Sequence, residues 1–247
     1  MLNLHHRDIF TVLCEDLIAN VKEETNQKKL VKEILNRFEK WKSLFNKIRP
    51  DGLNGEEQRG LYGELYFLRK LLSTNNFDYS EVIDSWGGSE KKVQDFQSKK
   101  WAVEVKTSHG KNHQKVHISN ERQLDSSNLE DLFLYHISLE VMQKSGESLN
   151  DIIDEIRLFL QANIIAFNQF NNKLVQAGYF SFQKDFYENI GYNIRQDTFY
   201  KVVNDFPRIQ ESDIMNGVGD VKYSIILSQC KPFIVDVQEV FDKKVIG

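Results

Sequence analysis

Apolar residues recur every three or four positions through the first fifty residues. Ile9, Val12, Leu13, Leu17 and Val21 make one stripe, and Leu30, Ile34, Phe38, Trp41, Leu44 and Ile48 make a second, with polar residues between them. A 3.6-residue period predicts two amphipathic helices between Arg7 and Arg49. Pro50-Asp51-Gly52 breaks the chain, and Leu61, Leu65, Leu68 and Leu72 predict a third helix over about residues 58–72. The period then shortens. Residues 81–84, 93–97, 101–107 and 115–118 read as short strands with turn residues between them, and 132–141 as another. Helical spacing returns over 149–172 through Ile152, Ile153, Ile156, Leu160 and Ile164. Short strands are expected again at 198–203, 221–227 and 233–237. The expected organisation is a helical region over 1–50, a core over 51–175 and an α+β extension over 176–247 packed on that core.

Composition narrows the class. In 247 residues, 40% are hydrophobic and 28% charged, with 3 Pro and 13 Gly, which excludes collagen-like, low-complexity and largely disordered chains. Two cysteines, Cys14 and Cys230, cannot build a disulfide scaffold, so a reducing cytoplasm is expected. The opening MLNLHHRDIF lacks a secretory pattern, and apolar runs such as 164–167 are too short to cross a bilayer, so no membrane is expected. The net charge of -4 argues against a general nucleic-acid coat. It does not exclude a nuclease, because acidic metal ligands and a basic segment can share one chain. Between Ser89 and Arg122, eight cations face four anions, a local excess that suits a polyanionic substrate.

The chemistry concentrates in 94–106. If Lys99-Lys100 is a two-residue hairpin loop, Ser98 pairs with Trp101 and Asp95 lands opposite Glu104. Residues two apart on a strand share a face, so Lys106 joins them. Two carboxylates and an ammonium then converge, a set that suits metal-assisted phosphodiester hydrolysis: oxygen ligands for Mg²⁺ and a lysine for the attacking water or the developing charge. A solvated hairpin with cross-strand ion pairs is the competing reading of the same residues.

Asp95 followed by Glu104-Val105-Lys106 resembles the PD-(D/E)XK motif of restriction-endonuclease-like nucleases, with Gln94 in place of the proline. The stretches Gly60-Leu61-Tyr62-Gly63-Glu64-Leu65, Val103-Glu104-Val105-Lys106-Thr107-Ser108, Ile118-Ser119-Asn120-Glu121-Arg122-Gln123-Leu124 and Phe206-Pro207-Arg208-Ile209 resemble a bacterial PD-(D/E)XK family often encoded near restriction–modification and defence loci. The resemblance spans roughly residues 16–237. It implies an α/β fold: a restriction-endonuclease-like mixed central sheet flanked by helices, with an N-terminal helical region. It also implies that Asp95 and Glu104 bind Mg²⁺, with Mn²⁺ able to substitute, and that Lys106 assists water.

Glu64 matches the helical glutamate that completes the metal site in this superfamily. Its neighbours on a helix are apolar, and a carboxylate there is costly unless paired or metal-bound. A salt bridge to Arg59 or Arg69 is the alternative. Gly60 and Gly63 are expected to let the helix approach the sheet closely. Thr107, Ser108 and Gln123 are candidate contacts to phosphate or a ligated water, while Ser119 is equally a helix N-cap. His109, His113 and His117 recur every four residues, but no cysteine pair or HExxH pattern supports zinc.

The expected function is Mg²⁺-dependent DNA endonuclease activity in a restriction or phage-defence system. DNA, a second copy of the chain and other defence subunits are the expected partners. A structure-specific repair or recombination nuclease and a catalytically silent DNA-binding subunit are the alternatives.

Overall fold

The computed structural model describes residues 7–45, 48–74, 77–88, 92–110 and 115–242. Helices α1 (Arg7–Val21) and α2 (Gln27–Phe45) pack against each other. Trp41 ties them together: its buried indole donates to Asp16 Oδ2 at 2.9 Å and packs with Val12, Val175 and Phe180.

Helix α3 (Gly55–Ser73) begins where Asn54 accepts from the backbone N–H of Glu56 and Glu57, and Glu57 returns a carboxylate to the Asn54 N–H. Such a capping box contributes about 1 kcal/mol to the helix start. The leucine stripe read from the sequence is its buried face, with Leu61, Leu65, Leu68 and Leu72 all inaccessible. The next segment corrects an expectation. Residues 81–84 are not a strand but part of α4 (Tyr79–Ser85), because Asp78 caps the N–H of Ser80 and Glu81. Val82, Ile83 and Trp86 then fall three and four apart on one buried face.

The main sheet is mixed. Its strands β1 (Phe96–Gln97), β2 (Trp101–His109), β4 (Asp131–Gln143), β5 (Glu147–Ser148) and β6 (Ile190–Lys201) run in the order β1-β2-β4-β6-β5, and β8 (Ile234–Val235) adds to β6. Strands β2 and β4 are parallel and the other pairs antiparallel. A second, two-stranded sheet joins β3 (Lys115–Ile118) to β7 (Tyr223–Ile226). Strand alternation splits the core in two. Val103, Val105, Phe133, Tyr135 and Ile137 pack with α3 and with α5 (Leu149–Leu160), whereas Ala102, Leu132 and Leu134 pack with β3 and β7.

The helical run expected over 149–172 is interrupted. Helix α5 ends at Leu160, and Asn163 caps a separate α6 (Ile164–Gln176). A short α7 (Val237–Asp242) closes the described chain. Among the described residues no helix is long and apolar enough to cross a membrane.

Candidate active site at the open edge of strand β2

The hairpin has the register read from the sequence. Phe96 pairs with Val103, Gln97 with Ala102, and Ser98 N–H donates to Trp101 O at 2.9 Å, so Asp95 stands opposite Glu104. Strand β1 stops there, which leaves the edge of β2 without a ladder partner. Asp95 supplies one: its Oδ2 accepts from Val105 N–H at 2.7 Å. From the other side comes Glu64. Helix α3 meets β2 at Gly63, where any Cβ would collide with Thr107 Cγ2. The absence of a side chain is what allows the close approach and brings the next residue to the site. No such neighbour lies against Gly60, so the expectation for that glycine fails.

Glu64 is not paired as the alternative reading had it. Arg69 is taken up by Glu147 and Glu155, and Glu64 Oε2 accepts from Trp86 Nε1 at 2.7 Å. Glu104 is inaccessible to solvent, and neither of its oxygens has a well-aligned hydrogen-bond donor. Its cation is Lys106, whose Nζ lies 2.6 Å from Oε1.

Crowding three carboxylates around one ammonium shifts all four groups. Burial, and then the charge of Asp95, raises the Glu64 carboxyl well above its ordinary value against the pull of Trp86. Burial also raises Asp95, outweighing Lys106 and the Val105 N–H. Glu104 is pushed up to about 8 by burial and by Asp95. Burial pulls the Lys106 ammonium down, but Glu104 and Asp95 outweigh it and hold the group above the usual range. One cation faces three buried acids, and burial with their mutual repulsion shifts the carboxyls towards the protonated form. Among the described residues no group of three or more His, Cys, Asp and Glu stands at spacing that would hold a metal ion as placed. The donor set nonetheless fits a hard cation: the buried carboxylate of Glu104, flanked by those of Asp95 and Glu64.

The remaining sequence candidates fall on different sides. Gln123 comes to the site: its Oε1 accepts from Ser119 N–H at 2.9 Å and lies 3.4 Å from Lys106 Nζ. Ser108 is buried and shares a 2.8 Å hydrogen bond with His136 Nε2, on the same sheet face as Lys106. Thr107 points the opposite way, into α3. Gln94, in the proline position, donates to the carbonyls of Arg122 and Gln123 at 3.1 and 3.4 Å and so fixes the turn that carries Gln123.

His109 and His117 are exposed, and His113 lies outside the described residues. Part of the basic segment is spent internally, since Lys100 pairs with Glu130, Arg122 with Glu211, and Lys92 binds the carbonyls of Asp84 and Ser85. Lys91 and Lys111 lie outside the described residues. Sequence reasoning missed Trp86 and His136. The one signal for His136 was a lone imidazole inside the apolar run Leu132-Phe133-Leu134-Tyr135-His136-Ile137.

Residues 2–228 match the model of a family described as "Putative PD-(D/E)XK family member, (DUF4420)". The chain belongs to this family. No curated protein and no solved structure matches it significantly. A PD-(D/E)XK family member whose mixed sheet is flanked by helices has a restriction-endonuclease-like fold, and membership points to a nuclease-like function. Divalent metals serve PD-(D/E)XK enzymes generally, and a nuclease-like family points to nucleic acid as the partner.

Proposed function

We propose that this protein is a Mg²⁺-dependent DNA endonuclease of a restriction or phage-defence system. The observation that carries the reading is Glu104: a fully buried carboxylate at the open edge of β2, opposite Asp95 and with the Lys106 ammonium 2.6 Å from its Oε1. A buried acid in that state is stabilised by a cation or by a proton, and a divalent ion would supply the positive charge that Lys106 alone does not. Asp95 and Glu104 would hold it, with Glu64 completing the set from α3. A bound divalent ion supplies charge neutralisation at the scissile phosphate and a more acidic water.

The chain's own groups do the rest. Lys106, positioned by Glu104 and Gln123, is placed to orient the attacking water or to stabilise the charge that develops on phosphorus-bound oxygen. The Trp86 N–H holds the carboxylate of Glu64 and the Val105 N–H that of Asp95, which keeps both acids beside Glu104.

The test is incubation of the pure protein with plasmid and phage DNA, methylated and unmethylated, in Mg²⁺, Mn²⁺ or EDTA. Metal-dependent cutting lost in both Asp95→Ala and Lys106→Ala is the expected result. Cutting that survives Asp95→Ala would overturn the site. DNA binding without cutting in any metal would assign the chain to a silent subunit.

A further inference from the structure

The C-terminal half of α6 grips the end of α4. Gln169, Phe170 and Lys173 fall three and four residues apart on one face of α6. Gln169 Nε2 donates to Asp84 Oδ1 at 3.1 Å, and the Phe170 ring lies 5.9 Å from that of Trp86. Lys173 is buried, and its Nζ donates to three backbone carbonyls, those of Ile83 at 2.9 Å, Asp84 at 3.3 Å and Trp86. Lys92 takes the carbonyl between them, that of Ser85, at 3.3 Å. Carbonyls at a helix end lack intrahelical donors and carry partial negative charge, and an ammonium answers both needs. Yet a seven-residue helix can end on water or on a glycine, and burying an ammonium there is costly.

The stretch that Lys173 holds is tied to two of the acids. Trp86, whose carbonyl it binds, donates its indole N–H to Glu64. The next residue, Gly87, donates its backbone N–H to Asp95 O at 2.7 Å. Trp86 also bridges to Phe96, so this segment lies against the start of β1. Glu64 comes from α3 and Asp95 from the hairpin, and Trp86-Gly87 binds to both. We propose that Lys173 is a positioning residue: by fixing the Trp86-Gly87 backbone it sets Glu64 relative to Asp95, and with them the affinity of the site for a divalent cation. The consequence for metal rests on the nuclease reading, whereas the grip on the two acids does not.

The experiment follows the indole N–H signals of the full chain by NMR with isotope-labelled tryptophan, its three tryptophans told apart by single Trp→Phe substitutions. In EDTA, Lys173→Met is expected to shift the Trp86 signal and to leave those of Trp41 and Trp101 in place. Titration with MgCl₂ alone, read at the same signals, should give a Kd about tenfold weaker than wild type, the size usual for losing a residue that orients a metal ligand. Lys173→Arg keeps the charge and the donors and should restore both. Val175→Ala loosens the same helix where it packs on Trp41, and should move neither the Trp86 signal nor the Kd. Should Lys173→Met not fold, Lys173→Gln keeps a donor without the charge and should show the same changes at smaller size. A Trp86 signal and a Mg²⁺ affinity both unchanged in Lys173→Met, or effects that Val175→Ala reproduces, would overturn the proposal. So would a Trp86 signal that moves while a measurable Mg²⁺ affinity stays the same. If the signal moves but no form of the chain binds Mg²⁺, wild type included, the grip on the acids stands and the nuclease reading falls instead.

Discussion

Lys106 Nζ stands 2.6 Å from Glu104 Oε1, two residues back along the same strand, and the pair sits almost entirely out of water. Removing either partner therefore has opposite effects. Lys106→Met leaves three acids without their cation and should lower the stability of the metal-free protein by about 2 kcal/mol, less than a rigid buried pair would lose because the acids can take up protons. Glu104→Gln relieves repulsion with Asp95 and Glu64 and should raise the melting temperature in EDTA. Thermal denaturation of the two variants beside wild type checks both signs.

The same crowding makes stability depend on pH. Glu104 is pushed up to about 8 in the folded chain, above the ordinary carboxylate range. The folded state therefore binds that proton more tightly than the unfolded state. Its contribution is complete below the ordinary value near 4.3, and falls as pH rises towards 8. Urea denaturation in EDTA should give a stability about 3 kcal/mol higher at pH 5 than at pH 8.5, a difference that Glu104→Gln removes in large part. On the proposed reading Mg²⁺ would compete with those protons, so its stabilising effect should grow over the same interval and be lost in Asp95→Ala.

Gly63 separates the role of helix position from that of chemistry. Gly63→Ala puts a methyl into Thr107 Cγ2 and pushes α3 off β2. The expected cost is about 2 kcal/mol of stability, with a larger fall in cleavage as Glu64 withdraws. Thr107→Ser removes the colliding methyl, and in the double variant both losses should be partly restored. If Gly63→Ala is silent, the close approach of helix and strand is not what delivers Glu64.

Gln123 touches Lys106 without touching the acids. Gln123→Ala should reduce kcat about tenfold with little change in KM or in melting temperature, and Gln123→Glu should shift the pH profile of cleavage. Steady-state kinetics over pH 6–9 tells a positioning residue from a merely structural one.

The hairpin was legible because a two-residue loop and alternating Val103 and Val105 leave one register that keeps both valines inside. Helix α3 was legible from four leucines and a glutamate among them. Residues 81–84 were misread because β-branched Val82-Ile83 resembles a strand, while the deciding group, the Asp78 cap, lies three residues upstream. The first half of β6 was invisible for another reason. Around Asn193–Asp197 it carries polar side chains, many of them exposed, and pairs through its backbone with β4, so no apolar period marks it. Neither the Trp86–Glu64 bond nor the Ser108–His136 bond has a local signature, since each joins elements that only tertiary packing brings together.

Trp86 gives the site an optical consequence. The chain has three tryptophans, and this one is fully buried with its indole N–H on Glu64. Its excited state therefore samples the local field of the acidic cluster. Emission of the native chain should change as the carboxyls exchange protons for a cation, and Trp86→Phe should abolish the change. Under the proposed function, Trp86 would serve as a built-in fluorescent reporter for a binding event that otherwise has no colour.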